Sequence, residues 1–361
     1  MKATLLLEDG TTFEGKSFGA YGTNIAEIVF NTSMAGYQEI LSDPSYAGQM
    51  IVMTYPEIGN YGINADDFES PRPATKGFIV KKYSPVPSHY KSEKSLGDYL
   101  KENNVIAIEG VDTRKIVRII REKGTMKALL TTEPLSDYHY EQLKSFCPNP
   151  NIVQTVTRSQ LEYKPNEGVK IAFIDYGAKQ SIINKLYQKG CDITIFPADV
   201  SADAILNGNF DAVFLSNGPG DPQDVKTGLE TIKNLMGKLP IFGICLGYQL
   251  LSLAIGANTY KLKYGHRGGN HPIINLLSGN VMMTSQNHSY AVDTLSLPEE
   301  AIPTFKNLND NTLEGFSYPP LNIEAVQFHP EAAAGPEDSN IIFDKWIKKI
   351  KKLKEEKDAK K

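Results

Sequence analysis

The sequence predicts an α/β chain in which a doubly wound, mostly parallel sheet follows a smaller mixed α+β domain. Three observations predict it. At 361 residues the chain is longer than one hydrophobic core organises comfortably, so two domains are expected. Residues 1–146 mix alternating, strand-like segments with amphipathic helices, whereas residues 169–361 begin with near-continuous apolar strands separated by helices. Buried strands alternating with helices are the mark of a parallel sheet covered on both faces. Residues 147–168 lie between them, with three prolines and few apolar side chains, and read as a surface linker.

In the first domain, TLLLEDG and TTFEGKSFG read as two strands joined at Asp9-Gly10, a pair that suits a type I′ hairpin turn. IAEIVFNTS and IVMTYPEIGNYG repeat the pattern of an apolar run ended by a polar turn. Helices follow in SEKSLGDYLKENN and DTRKIVRIIREKG. In the second, Ile116, Ile119 and Ile120 share a face behind an Asp112 or Thr113 cap, and Gly124 stops the helix. After Gly168, VKIAFIDYG, ITIFP, DAVFLSNGPG and PIFGIC are buried strands, with helical AKQSIINKLYQKG, ADAILNG and DVKTGLETIKNLMG among them. The tail FDKWIKKIKKLKEEKDAKK spaces Phe343, Trp346, Ile350 and Leu353 for one face of a last helix with a solvated lysine face.

Composition narrows the function. With 41% hydrophobic and 22% charged residues the chain is an ordinary globular one, not a disordered tail, a collagen-like fibre or a disulfide scaffold. The net charge of −4 provides no overall basic field, so neither nucleic acid nor a membrane is an expected partner. Three cysteines without a CxxC pair suit a reducing, cytoplasmic compartment. The N-terminal apolar run Leu5–Leu7 is far short of the roughly 7–15 residues of a secretory signal, and no window reaches the roughly 18 of a membrane span.

The sharpest chemical feature is Gly243-Ile244-Cys245-Leu246-Gly247, between the strand PIF and the helix LGYQLLSLAIG. This is a nucleophile elbow with cysteine at its apex. It lifts the sulfur to the carboxyl edge of the sheet, where open α/β sheets bind ligands, and to a helix N-terminus, where the dipole favours negative charge. A second feature is NIEAVQF running into His329-Pro330-Glu331. Residues two apart on an extended chain project to one side, so Glu331 is placed to orient His329 as the base for Cys245. A third is Ser216-Asn217-Gly218-Pro219-Gly220, a stiff loop whose Gly218 and Gly220 amides, with that of Leu246, are candidates for cradling an oxyanion. No phosphate-binding G-x-x-x-x-G-K-[ST] occurs. His266 and His271 stand in GHRGGNHP without a third ligand at metal spacing, so no metal is expected. The polar island Gln286-Asn287-His288-Ser289-Tyr290 after VMMTS is equally compatible with a site or a turn.

FLSNGPGDP, GICLGYQL and FHPE, in that order, resemble a class I glutamine amidotransferase domain of flavodoxin-like architecture. FNTSMAGYQEILSDPSYAGQ, TYPEIGNYG and GVDTRKIVRIIREKG resemble the small-subunit family of carbamoyl-phosphate synthases, and with YGHRGGNHP and TSQNHSYAV the resemblance covers essentially residues 1–345. The resemblance implies that Cys245 attacks the carboxamide of glutamine, His329 transfers protons and Glu331 orients His329. It further implies glutamine-binding roles for Ser45, Gly218, Gly220, Leu246, Gln249, Asn287, Ser289 and Tyr290, with a pocket closing where the domains meet. The chain itself would need no cofactor or metal. ATP, Mg and bicarbonate would be used by a large-subunit partner, in a heterodimer or a larger assembly, to make carbamoyl phosphate for arginine and pyrimidine synthesis. Tyr248 stands where the family usually has His, and Ser289-Tyr290 where it usually has Gly-Phe, so a left-handed backbone at 289 would be strained. Glutaminases of other synthases, a stand-alone γ-glutamyl hydrolase and a silent scaffold are the competing readings.

Overall fold

The computed structural model describes residues 1–359 and divides the chain into two units, the first Met1–Asn149 and the second from Pro150 onward. The first is built on a closed barrel of seven strands. Their order is Lys2–Leu7, Thr12–Ser17, Ile106–Glu109, Gly77–Ile79, Gln49–Met53, Thr23–Asn31 and Met126–Thr131, the last pairing back with Lys2–Leu7. Closure pairs every edge of the sheet. Its two predicted helices form as Leu96–Glu102, capped by the Ser95 hydroxyl, and Thr113–Lys123. Asp112, rather than Thr113, caps the latter by accepting from the Lys115 N–H at 2.9 Å, and Gly124 ends it at φ 95°. The turn after the first strand is not type I′. Only Gly10 of the Asp9-Gly10 pair has positive φ (84°), and the Asp9 carboxylate instead accepts from the Thr11 N–H.

The second unit is one ten-stranded mixed sheet. Five strands, in the order Asp192–Pro197, Lys170–Asp175, Ala212–Leu215, Ile241–Ile244 and Ile323–Val326, form its parallel centre. Alternate residues of these strands feed two apolar cores, Ile174, Val213 and Leu215 on one face, Phe173, Phe214 and Phe242 on the other. An antiparallel flank extends the sheet beyond Ile323–Val326 through Leu313–Tyr318, Ile302–Asn307, Thr259–Asn275 and Val281–Val292.

The segment read as a linker divides at Asn149/Pro150. Its later part packs on the second unit: Val153 is buried in that core and Glu162–Lys164 add an antiparallel edge strand to Asp192–Pro197. The strand ends before Pro165, whose missing N–H would interrupt the pairing. The final helix, Ile341–Asp358, buries Phe343 and sets the Trp346 ring 5.6 Å from Phe214 and 5.4 Å from Phe242. The last two tail residues, Lys360 and Lys361, lie outside the described residues. No helix among the described residues is long and apolar enough to cross a membrane.

Candidate active site

Cys245 sits between the strand Ile241–Ile244 and the helix Leu246–Ala254 with φ 54° and ψ −102°. That conformation is rare for a residue with a Cβ and signals a backbone held by its surroundings. The two glycines explain how it is held. A Cβ on Gly247 would lie 2.5 Å from the Leu215 carbonyl oxygen, and one on Gly243 would lie 2.7 Å from the Gly247 backbone. The turn is therefore packed directly on its neighbouring strand. The Cys245 N–H donates to the Val326 carbonyl at 2.9 Å, and the Gly247 N–H to that of Ser216 at 3.0 Å. The thiol is 2% exposed and donates to the Asn287 carbonyl at 3.5 Å.

His329 follows the adjacent strand Ile323–Val326, and its N–H donates to the Ser285 carbonyl at 2.9 Å. Its Nδ1 lies 2.6 Å from Glu331 Oε1. Nε2 is buried without a well-formed hydrogen bond, and the Cys245 thiol beside it is among the groups that act on the ring. Burial alone would lower the pKa of His329. The Glu331 carboxylate, and after it Cys245, outweigh burial and hold the imidazole well above its ordinary value. Burial would likewise raise the pKa of Glu331, but Lys179 and His329 keep it ionised, well below the usual carboxylate range.

Lys179 is the residue that sequence reasoning missed. Its ammonium is buried and donates to Glu331 Oε1 at 2.9 Å and to the Ala332 carbonyl at 2.8 Å, while its N–H donates to Asn217 Oδ1 at 3.0 Å. A buried carboxylate between a lysine and a histidine is a charge-compensated anchor, costly to break from either side. The available signal was positional, since Lys179 follows the strand Lys170–Asp175 at the carboxyl edge of the sheet.

The second unit gathers most of the other expected residues around this core. Gly218 packs so closely that a Cβ would lie 2.4 Å from the Tyr176 carbonyl oxygen and 2.7 Å from the Leu246 side chain. Gly220 has φ 93° and faces Ile152. Gln249, one turn along the nucleophile helix, donates from Nε2 to the Tyr290 carbonyl and to Gln327 Oε1, each at 3.0 Å. The 286–290 island is not a turn. It continues the strand Val281–Val292, in register with the GHRGGNHP segment so that His266 faces His288 and Arg267 faces Asn287. Ser289 lacks a left-handed φ, so the expected strain does not arise, and its hydroxyl accepts from Arg267 Nη2. Ser45 lies in the first unit, buried in the turn Pro44–Tyr46, with its N–H donating to Asp43 Oδ1 at 2.9 Å.

Tyr248 is wholly buried, donates to the Leu313 carbonyl at 3.2 Å and packs on Phe316 at 5.6 Å. His266, His288 and Glu314 place one donor atom each within 4.8 Å of one another, a grouping that could hold a metal. Both Glu314 oxygens accept, from Gln286 and Asn307, and His288, held neutral by burial, donates from one ring nitrogen to either the Tyr290 carbonyl or Gln286 Oε1.

Comparison with known proteins gives a family match in each unit. Residues 5–130 match the family described as carbamoyl-phosphate synthase small chain, CPSase domain, and residues 172–349 match glutamine amidotransferase class-I. The carbamoyl phosphate synthase small chain of Oceanobacillus iheyensis is 48% identical over 356 residues, 98% of this chain and 97% of that protein. The small chain of Clostridium acetobutylicum is 49% identical over 96% of this chain and 99% of its own length. The pyrimidine-specific small chain of Bacillus subtilis is 45% identical over 99% of both.

Proposed function

Because the chain belongs to the family of carbamoyl-phosphate synthase small chains with a class I glutamine amidotransferase domain, we propose that it hydrolyses glutamine through a cysteinyl thioester and hands the ammonia to a large-subunit partner. The observation that carries the chemistry is the His329–Glu331 contact of 2.6 Å on Nδ1, which leaves Nε2 turned to the nucleophile. Cys245 Sγ adds to the carboxamide carbon of glutamine, its proton passing to His329. The oxyanion so formed is met by amides of the Gly218–Gly220 loop and of Leu246. As the C–N bond breaks, His329 returns the proton to the leaving nitrogen, releasing ammonia and leaving the thioester. Water then attacks the thioester, His329 takes its proton and delivers it to the departing sulfur, and glutamate leaves. Glu331, anchored by Lys179, favours the imidazolium form of His329, the form that protonates the leaving group.

Gln249, Asn287, Ser289 and Tyr290 hold the glutamine in this reading, and Ser45 is assigned to it by its motif alone. The partner uses ATP, Mg and bicarbonate to form carbamoyl phosphate in the cytoplasm. Relatives named pyrimidine-specific support pyrimidine synthesis as a destination, with arginine synthesis a further one.

The test is glutamate release by the purified chain, alone and with a large subunit, ATP and bicarbonate. Slow release that rises sharply with the partner, and is lost by about 10⁴-fold or more in Cys245→Ser while ammonia-dependent synthesis persists, is expected. Fast release indifferent to the partner would instead mark a stand-alone hydrolase, and none under either condition a scaffold.

A further inference from the structure

We propose that Arg267 is a positioning residue for glutamine: its guanidinium aims the Ser289 hydroxyl, which takes the α-carboxylate of the substrate. The inference rests on the glutaminase reading above and adds to it a group that recognises the amino-acid end. Arg267 lies on the strand Thr259–Asn275, directly opposite Asn287 on the strand Val281–Val292, and is 3% exposed. Opposite and diagonal residues of an antiparallel pair share one face, so Arg267, Asn287 and Ser289 lie together on it. Arg267 Nη1 donates to the Tyr264 carbonyl at 2.9 Å and Nη2 to Ser289 Oγ. The local backbone is shaped for this grip. Pairing is irregular between Lys261 and His266, and within that stretch Gly265 turns at φ 71°. A Cβ there would lie 2.5 Å from Arg267 Nη1 and 2.4 Å from the His288 carbonyl oxygen, so a side chain would displace the guanidinium.

A guanidinium has donors only, so Ser289 Oγ accepts from it. The single hydroxyl hydrogen then points away from Arg267, and no acceptor takes it among the described residues. Ser289 is half-buried, which leaves that hydrogen open to a ligand. The bond from the charged donor polarises the hydroxyl and suits it to an anionic oxygen. Position tells which one. The Asn287 carbonyl accepts from the Cys245 thiol at 3.5 Å, so the carboxamide to be attacked lies beside residue 287. Ser289 is two residues further on, about 7 Å along an extended strand. In an extended glutamine the carboxamide carbon and the α-carboxylate carbon are about 5 Å apart, across four bonds of about 1.5 Å. An O–H···O bond of about 2.7 Å closes the difference. The arrangement therefore selects γ-amides that carry an α-carboxylate.

The experiment is steady-state glutamine hydrolysis by the full-length chain, wild type against Ser289→Ala, Arg267→Met and the double variant, with melting curves for each. A second readout is the rate at which iodoacetamide, a neutral reagent without a carboxylate, abolishes activity by alkylating Cys245. In each single variant KM for glutamine is expected to rise about tenfold, the scale of one hydrogen bond to a charged group, with kcat changed less than about twofold. The iodoacetamide rate should stay within about twofold, because the nucleophile is untouched. The double variant should be no worse than Arg267→Met, since the arginine acts through the serine. Ser289→Ala decides the matter alone should Arg267→Met fold poorly. An unchanged KM in Ser289→Ala, or additive losses in the double variant, overturns the inference and leaves the glutaminase reading standing. So does a rise in KM accompanied by a lower kcat and a changed iodoacetamide rate, which would mean that Arg267 only holds the strand. A wild type that releases no glutamate, alone or with the large subunit, removes both.

Discussion

The two sides of the candidate site are built in opposite ways. On the parallel side, Cys245 and the His329–Glu331 pair stand at the ends of the neighbouring strands Ile241–Ile244 and Ile323–Val326, each within a few residues of the features that position it. On the antiparallel flank, Asp310, Glu314, Gln286 and His288 are brought near one another by pairing among four strands far apart in sequence, with irregularities in the register of two of the pairs. The difference teaches where each kind of precision comes from. A nucleophile needs a strained local turn, which glycines and a strand end supply. A substrate cradle needs several groups held at fixed spacing, which long-range pairing supplies.

The strongest way to break the contrast is to attack the parallel side through a support that comes from far along the chain. Lys179→Met leaves the Glu331 carboxylate in a fully buried position with half its ionic compensation gone. Removing one partner of a buried pair costs about 3–5 kcal/mol, so denaturant unfolding should shift by that order. Glutamine hydrolysis should fall as well, because Glu331 no longer holds His329 in one orientation. A variant with unchanged stability would mean that His329 alone compensates Glu331, and that the parallel side is as local as its motifs suggest.

This contrast also sets what could be read from the sequence. The elbow was legible because its glycines are demanded within five residues, as the 2.5 Å approach of a Gly247 Cβ to Leu215 makes plain. Glu331 was legible because it lies two residues beyond its partner. Lys179 was not, since a lysine opening an amphipathic helix normally faces water, and its carboxylate partner is 152 residues away. The flank hid for another reason: the 259–275 and 281–292 segments bury polar groups among themselves, so neither strand shows clean apolar–polar alternation. In the first unit the alternating segments announced strands, but not that Met126–Thr131 would close a barrel on Lys2–Leu7.

A smaller effect sharpens the flank side. Burial would lower the pKa of His266, but hydrogen bonds and charge from Asp310 and Glu314 raise it to about 9, against 6.5 ordinarily. Its contribution to stability is therefore fully present below about pH 6.5 and lost as pH rises through about 9. Melting temperature followed from pH 6 to 10 should fall across this window by a few degrees in the wild type. The fall should be smaller in Asp310→Asn, where the raising partner is weakened. Parallel curves for the two proteins would show that the His266–Asp310 pair does not hold the flank.

Tyr248 is the mildest probe, and it asks whether the two sides communicate through the nucleophile helix. Its ring belongs to the core that contains Leu313 and Phe316, whereas Cys245, three residues earlier, belongs to the core on the other face of the sheet. The hydroxyl reaches the Leu313 carbonyl, next to Glu314, and so ties the helix to the flank without entering the site. Tyr248→Phe keeps the ring on Phe316 and removes only that hydrogen bond. The loss should be about 0.5–1.5 kcal/mol in stability, with kcat and KM for glutamine within about twofold of wild type. The small expected effect is informative because the family usually places His at this position. If the variant instead lost activity tenfold at unchanged stability, the helix would be carrying strain from the flank to Cys245, and the separation between a locally built nucleophile and a register-built cradle would fail.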